Sequence, residues 1–359
     1  MCNIFAKSLY RFPSHNGNFI VVNHIIFASM RNIIVIGASA GGLQAINKVI
    51  SGLSNEIDAA VMIVLHLSRK SNAHNLAAIL QRHTAMQCHV ATNDTIIERG
   101  NIYLAPQDHH LMVKDRLLKI NQGAHENKYR PSIDVLFRSA AVTYGNRVIG
   151  IVLTGMLEDG TSGMWAIKSC GGICIVQHPD EAEYSDMPRS VINKIQVDYK
   201  ANLEDIANII KRSIANPLPP KMSIPNELQL EANLTEQMMS HINDLEKIAD
   251  RSNFVCPDCG GGMWAVKNDP VHRYRCHTGH VYTEKLLSDM QDEKIEESIW
   301  VSIRMLEEKL NLLLLMEKRE GETSARSSYY KTRVEDMNKH ISRLKKLLSV
   351  LHKDSENID

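Results

Sequence analysis

The chain has 359 residues, which is enough for one α/β domain of typical size and one or two smaller modules. It carries 41 basic and 41 acidic residues, so its overall charge gives no basis for binding nucleic acid or an anionic membrane surface. Three cysteines lie in or beside apolar segments and three cluster with histidines, a distribution that argues against a disulfide framework and favours the reducing cytoplasm.

The first 29 residues contain apolar stretches that Asn23 and His24 interrupt. The apolar part is too short to span a bilayer, so we expect no membrane insertion. A cleaved signal peptide is an alternative, although cleavage there would begin the mature chain at the first core strand. We expect residues 1–29 to be an untranslated or disordered extension, with Met30 as the working start.

From Asn32 onward, short apolar runs of strand type alternate with longer segments of helical periodicity. This alternation predicts an α/β domain over residues 30–215, in which a doubly wound, mainly parallel sheet carries helices on both faces. The predicted strands are 33–36, 60–65, 102–104, 148–153 and 173–176, and the predicted helices are 43–50, 76–81, 132–142 and 163–169. Apolar runs at 111–113 and 117–120 predict a hairpin attached to the edge of the sheet.

A proline-rich stretch over residues 216–226 cannot continue a helix and predicts an extended linker. We expect a helix and a small zinc-binding module at 227–282, followed by a helical hairpin at 283–359. In the hairpin, apolar residues recur at alternating spacings of 4 and 3, as between Ile299 and Leu313 and between Val334 and Leu351. This pattern favours an antiparallel pair that packs alone or self-associates, and docking to a receptor or partner bundle is the alternative.

Ser39 directly follows the first predicted core strand and precedes Gly41, Gly42 and a helix. A tight strand-to-helix turn at this edge exposes the side chain and directs the N–H groups of the helix N-terminus toward its target. This geometry suits a nucleophile and its oxyanion. A phosphate-binding glycine turn is the competing interpretation, although the spacings of the dinucleotide and P-loop motifs do not occur here.

Two further residues follow core strands and supply the types that a serine nucleophile needs. His66 ends the next predicted strand and could act as the base, and Asp159 could hold its tautomer. Taken alone, His66 could be a polar residue that leaves the core, and Asp159 could cap the helix that begins near Thr161. Three histidines that also lie near strand ends or turns remain rival bases: His109, His110 and His178.

Several segments together resemble the catalytic domain of chemotaxis protein-glutamate methylesterases, the CheB family. They are residues 36–42, 64–66, 97–106, 130–137, 154–156 with 159–160, and 187–189, in family order across residues 32–215. The resemblance implies that Ser39, His66 and Asp159 form the catalytic triad, without a cofactor. It also implies that the backbone N–H groups of Met156 and Ala40 serve as oxyanion donors.

By the same resemblance, the expected reaction is hydrolysis of glutamate γ-methyl esters on methyl-accepting chemoreceptors, with deamidation of glutamine at the same sites. A receptor methyltransferase is then the expected functional counterpart. The sequence departs from the family at Ala40, at Leu67-Ser68 and at His178. We also expect no receiver domain before Ser39. The alternatives are a scaffolding module that signals through its C-terminal region and an esterase of this fold that acts on another ester.

Cys256 and Cys259 form a C-x-x-C pair, and Cys276 is followed by His277 and His280. Three thiolates and one imidazole make the tetrahedral ligand set of structural zinc, which leaves no open coordination position. We predict Cys256, Cys259, Cys276 and His280 as the ligands, with His277 as the alternative fourth. Reduced surface cysteines without a metal are the other interpretation.

Overall fold

The computed structural model describes residues 10–13, 19–22, 32–66, 72–218, 220–238, 241–320 and 325–355. The chain divides into two units, one comprising residues 1–256 and 261–283 and the other residues 257–260 and 284–359. In the first 31 residues, Tyr10–Pro13 pairs with Phe19–Val22 as an antiparallel ladder. The rest of that region, including Met30, lies outside the described residues. The predicted start at Met30 therefore falls outside them as well.

The strands of the first unit are β1 (Tyr10–Pro13), β2 (Phe19–Val22), β3 (Asn32–Ala38), β4 (Ala59–Leu65), β5 (Gln87–Val90), β6 (Asn101–Leu104), β7 (His110–Lys114), β8 (Leu117–Asn121), β9 (Val148–Val152), β10 (Ile173–Gln177), β11 (Tyr199–Ala201), β12 (Ala249–Val255), β13 (Gly262–Val266), β14 (Arg273–Cys276) and β15 (Val281–Thr283). Seven of them form one sheet in the order β11-β10-β9-β3-β4-β6-β5. All neighbouring pairs in this sheet are parallel. The strands β3, β4 and β9, at its centre, are buried along their whole length.

The helices are α1 (Gly42–Ser51), α2 (Ala73–Gln81), α3 (Ile133–Tyr144), α4 (Thr161–Ser169), α5 (Asp186–Lys194), α6 (Leu203–Ala215), α7 (Asn226–Gln237), α8 (Ile242–Ile248), α9 (Glu284–Glu320) and α10 (Ala325–Ser355). Side chains alternate across β3, so Ile33 and Val35 join one core while Ile34 and Ile36 join the other. The first core includes α3, α4 and α5, and the second includes α1, α2 and α6. The predicted doubly wound fold is therefore confirmed.

The prediction that residues 111–120 form a hairpin on the edge of the main sheet is wrong in its placement. The hairpin forms, but β7 and β8 make a separate two-stranded sheet. On β7, the backbone N–H of Val113 donates to Ser139 Oγ at 3.1 Å, and its carbonyl accepts from Thr143 Oγ1 at 2.9 Å. Because side chains of α3 form hydrogen bonds with these backbone groups, β7 packs against α3. It does not add to an edge strand of the main sheet.

The segment after the linker packs into the first unit. Leu228 of α7 joins the core beneath α3, and Leu234, Leu245, Ile248 and Trp264 form a small core of their own. The strands β12 to β15 form an antiparallel sheet in sequential order. We refer to residues 249–283 as the Cys/His module.

The second unit is built on α9 and α10, which run antiparallel, since Lys345 pairs with Glu307 and Lys331 with Glu317. Its core consists of the apolar residues whose spacing predicted the hairpin, and its buried members are Ile299, Ile303, Ile341 and Leu348. Neither these nor the other helices that the structure describes combine the length and hydrophobicity that a bilayer crossing would require.

Candidate active site and metal centre

Ser39 lies on a tight turn between β3 and α1, at the carboxyl edge of the central strands. Its N–H donates to the carbonyl of Thr154 at 3.0 Å, and its carbonyl accepts from the Gly42 N–H at 2.9 Å. Gly41 has a φ of 71°, and a Cβ there would lie 2.6 Å from Glu183 Oε2. The turn therefore favours glycine at position 41 because of its conformation, since the Glu183 carboxylate lies at the end of a flexible side chain that can move.

His66 follows β4, the neighbour of β3, and its N–H donates to the carbonyl of Ala38 at 3.0 Å. The imidazole is almost buried, with 4% of the side chain exposed, and its Nε2 lies 2.9 Å from Asp159 Oδ2. Its Nδ1 is buried and has no hydrogen-bond partner among the residues that the structure describes. The nitrogen left to accept a proton is therefore Nδ1.

Asp159 accepts hydrogen bonds on both carboxylate oxygens. Besides His66, the donors are the N–H groups of Ile133 and Asp134, the hydroxyl of Ser132 and the amide of Asn127, at 2.7 to 3.3 Å. Asp159 thus caps the N-terminus of α3, and not the helix beginning at Thr161 that its sequence position had suggested. Burial alone would raise the pKa of Asp159, but the hydrogen bond and charge of His66, with the Asn127 amide, lower it.

Tyr129 contacts Ser39 and His66, two members of the predicted triad. The sequence did not predict these contacts. The Tyr129 ring stacks on the His66 imidazole with centroids 3.5 Å apart and planes 11° apart. Its hydroxyl shares a hydrogen bond with the Ser39 side chain. Burial and the nearby charge of Asp159 raise the pKa of Tyr129, so the phenol stays protonated near neutral pH.

The predicted oxyanion donors, Ala40 and Met156, lie on the two loops that meet at Ser39. Gly155, just before Met156, packs so closely that a Cβ there would lie 2.8 Å from Ser39 Cβ and would overlap Met187 Sδ. The buried Thr154 hydroxyl donates to the Ala40 carbonyl at 3.0 Å, which fixes the orientation of the turn after Ser39. The roles of the Ala40 and Met156 amides remain predictions.

The three rival histidines have other partners. His110 is fully buried, and its two ring nitrogens contact the Ala124 carbonyl and the Ser132 N–H. Burial lowers the pKa of His110. His109 Nδ1 lies 2.8 Å from the Gln107 carbonyl, and His178 Nδ1 accepts from the Asp180 N–H at 3.3 Å. Only His66 is held by a buried carboxylate among the four.

A turn over residues 126–129, which we call the catalytic turn, carries two of the side chains that sequence reasoning missed. The Tyr129 N–H donates to the Glu126 carbonyl at 3.0 Å, and Asn127 and Lys128 have φ of 55° and 68°, as in a type I′ turn. The Asn-Lys pair is compatible with a turn, because asparagine tolerates positive φ. The hydrogen bond from the Asn127 amide to Asp159, 32 residues away, depends on tertiary packing. It leaves no signal in the sequence.

The four predicted metal ligands converge at one end of the Cys/His module. The donor atoms of Cys256, Cys259, Cys276 and His280 all lie within 4.8 Å of one another. His280 Nδ1 is 3.7 Å from Cys256 Sγ and 3.6 Å from Cys276 Sγ. A tetrahedral zinc site implies sulfur–nitrogen separations of about 3.6 Å, so this donor set fits such an ion. The alternative ligand, His277, is exposed and lies outside the group.

Comparisons with known proteins agree on the region around Ser39. The family model for CheB methylesterase matches residues 34–210. A putative protein-glutamate methylesterase/protein-glutamine glutaminase of Leptospira interrogans is 38% identical over 186 residues, covering 52% of this chain and 96% of the relative. A relative with the corresponding name from Methanosarcina mazei is 35% identical over 194 residues, covering 52% of this chain and 53% of its own length. The solved catalytic domain of Thermotoga maritima CheB methylesterase is 28% identical, with a TM-score of 0.48, covering 51% of this chain and 97% of that domain.

Proposed function

This chain belongs to the CheB methylesterase family, and we propose that it hydrolyses glutamate γ-methyl esters on chemoreceptors through Ser39, His66 and Asp159. The observation that carries the proposal is the buried His66–Asp159 pair at 2.9 Å beside Ser39, in which Nδ1 of the imidazole has no partner in the described part of the chain. A serine next to an imidazole that a carboxylate orients is the arrangement that activates a hydroxyl for acyl transfer.

The reaction follows from these contacts. Because Asp159 accepts from Nε2–H, the Nδ1 lone pair takes the Ser39 proton as the hydroxyl oxygen attacks the γ-carbonyl. For this step, the Ser39 hydroxyl exchanges its Tyr129 partner for His66. The amides of Ala40 and Met156 would stabilise the tetrahedral oxyanion. His66 then returns the proton to the leaving methoxide, methanol departs, and water hydrolyses the γ-glutamyl ester of Ser39 to release glutamate.

The same site could deamidate glutamine, the second activity in the names of the relatives. An amide carbonyl reacts with Ser39 through the same tetrahedral intermediate, and His66 protonates the leaving nitrogen, which departs as ammonia. Both reactions yield a glutamate side chain on the receptor. We therefore propose methylated chemoreceptors as the partner proteins and a receptor methyltransferase as the enzyme that supplies the ester.

We also propose that the cluster in the Cys/His module holds a structural zinc ion. Four protein ligands fill a tetrahedral site and leave no position for a substrate or activated water. The metal thus takes no part in the hydrolysis itself. Because its three thiols must stay reduced to bind zinc, we place the protein in the reducing cytoplasm.

Methanol release from methylated chemoreceptors tests the proposed function. We expect the wild-type chain to release methanol and Ser39→Ala to lower the rate to background, a loss of several orders of magnitude. Ser51→Ala is the matched control, because Ser51 is an exposed serine whose hydroxyl contacts only its own helix. Equal release by wild type and Ser39→Ala would contradict the proposal.

A further inference from the structure

The Cys/His module contacts the catalytic turn through a strand that begins at a predicted metal ligand. Val281 directly follows His280, and its carbonyl accepts from the Asn127 N–H at 2.8 Å. The Val281 N–H donates to the His125 carbonyl at 3.3 Å, so β15 pairs with the chain just before and within the catalytic turn. Movement of His280 would therefore reach Asn127 through a single residue.

The catalytic turn contacts two members of the triad, Asp159 and His66. The Asn127 amide donates to Asp159 Oδ1 at 3.0 Å and to Asp134 Oδ2 at 2.9 Å. Two residues later, the Tyr129 ring stacks on His66. Asn127 and Lys128 both have positive φ, and for lysine in particular this conformation persists where the surroundings constrain it. The pairing with β15 is one such constraint.

A second connection between the Cys/His module and the active site is ionic and fully buried. Arg275, adjacent to Cys276, contacts Glu126 of the catalytic turn at 3.1 Å. Arg273 pairs with Asp269, whose carboxylate accepts from Ser162 Oγ at 2.7 Å. Ser162 lies in the first turn of α4, three residues after Asp159. The module thus contacts both chain segments that surround the Asp159 carboxylate.

We propose that metal binding in the Cys/His module controls the esterase, because it holds β15 against the catalytic turn and so fixes Asn127, Tyr129 and the His66–Asp159 pair. The ligand is a single zinc-type divalent cation, and its removal releases His280 and the strand that follows it. The effect on catalysis rests on the proposed function, whereas the effect on the geometry of the catalytic turn does not. The metal acts by positioning these residues. The sequence around Ser39 does not predict this effect.

The test compares the full-length chain with zinc bound and after removal by a strong chelator. Metal content is measured first, with one zinc per chain expected. Ser39 is then probed with a fluorophosphonate, which reports activation of the serine without requiring a methyl ester. Amide hydrogen exchange is followed in parallel over residues 125–134 and, as a reference, over β3 and α1.

We expect zinc removal to slow fluorophosphonate labelling of Ser39 at least tenfold and to speed exchange over residues 125–134. The β3 and α1 reference should remain protected, and added zinc should restore the labelling rate. The exposed ligand variant Cys259→Ser should reproduce the metal-free behaviour. Its matched control is Cys88→Ser, which removes a half-exposed thiol on β5 whose pKa burial raises to about 11.

Three results would overturn the proposal. They are failure to bind zinc, equal labelling with and without zinc, and loss of protection throughout β3 and α1, which would make the metal a support of the whole fold. If labelling depends on zinc but no methanol is released from receptors, the proposed substrate fails and the metal control stands. If methanol is released equally with and without zinc, the metal control fails and the proposed function stands.

Discussion

Asp159 has more partners than its proposed catalytic role requires. Its two oxygens accept from His66, from the Asn127 and Ser132 side chains and from two N–H groups at the start of α3. Such a carboxylate orients the imidazole and also stabilises the fold, because each donor would be buried without a partner if the acceptor were lost. The proposed catalytic role and a structural role therefore fall on one side chain.

Asp159→Asn should weaken both the proposed catalytic role and the structural one. The amide nitrogen cannot accept from the donors that face it, so we expect kcat to fall by roughly 10⁴ and unfolding free energy at pH 7 to fall by about 2–3 kcal/mol. Because the pKa of Asp159 is lowered in the folded protein, its stabilising contribution is complete above the unfolded value near ~4 and declines as the pH falls further.

Denaturation of wild type and Asp159→Asn between pH 3 and 7 measures this dependence. Their difference in unfolding free energy should be constant above about pH 5 and should shrink toward pH 3. Asp205→Asn, at an exposed position in the first turn of α6, should change stability by less than about 1 kcal/mol. A difference that grows on acidification would contradict the assignment.

Tyr129 contributes a ring and a hydroxyl whose effects can be measured separately. Tyr129→Ala removes the surface on which the His66 imidazole stacks, and we expect kcat to fall at least tenfold. Tyr129→Phe keeps the stacking and removes only the hydrogen bond to Ser39, which the mechanism must break before attack. We expect Tyr129→Phe to retain kcat within about threefold, equivalent to roughly 0.7 kcal/mol.

Steady-state methanol release gives kcat and KM for both Tyr129 variants, and the pH profile of kcat distinguishes positioning of His66 from a general loss of structure. A positioning role requires the pH profile of kcat to change in Tyr129→Ala and to remain that of wild type in Tyr129→Phe. Equal losses in the two variants would show that the hydroxyl, and not the ring, is what the site needs.

At the scale of elements, α3 is the helix that links the active site to the rest of the first unit. Its N-terminus binds Asp159, and its buried Arg138 contacts both Glu126 of the catalytic turn and Glu231 of α7. Glu231 also receives Arg273 at 2.8 Å. With Arg275, which contacts Glu126, three buried guanidinium groups on α3 and β14 share the carboxylates of Glu126 and Glu231. Each of these buried charges is stabilised by its neighbours of opposite charge.

Glu231→Gln should therefore destabilise the first unit strongly. The carboxylate neutralises Arg138 and Arg273 in the interior, and the surrounding positive charges hold the pKa of Glu231 well below its usual range despite burial. We expect a loss of about 3–5 kcal/mol in unfolding free energy. In the same helix, Glu236→Gln removes a partly exposed partner of Lys114 and should cost about 1 kcal/mol or less. Urea titration of both variants measures the contrast, and similar losses would contradict it.

The sequence predicts the elements that periodicity and burial mark most clearly. The predicted strand 33–36 lies within β3 and 60–65 within β4, and all seven strands of the sheet are parallel. The strands β5 and β11 were not predicted, because one shows only partial burial and the other has three residues. The hairpin was misplaced because its partner, α3, satisfies β7 through side chains, which no strand pattern encodes.

The predicted site residues illustrate the same limit. Ser39, His66 and Asp159 each follow a core strand, so strand order alone brings them to one edge. Asn127 and Tyr129 belong to a turn that lies outside the main sheet, and their contacts arise from the packing of α3 and β15 around it. Local sequence describes the turn but not what the turn touches.

At the scale of the whole molecule, the two units differ in the size and composition of their hydrophobic cores. The first has two large apolar cores on either side of the parallel sheet and a buried ionic network. The second has a narrow seam between α9 and α10, with exposed apolar side chains elsewhere on α9, among them Trp300 and Met305. Units with separate cores are expected to unfold independently.

We therefore expect differential scanning calorimetry to resolve two transitions. Leu348→Ala, in the α9–α10 seam, and Leu80→Ala, in α2, remove the same side chain from equally buried positions of the two units. Each should cost its own unit about 2–5 kcal/mol and lower only that transition, because the two sites share no partners. A single transition that both substitutions lower equally would show that the hairpin and the sheet unit unfold as one.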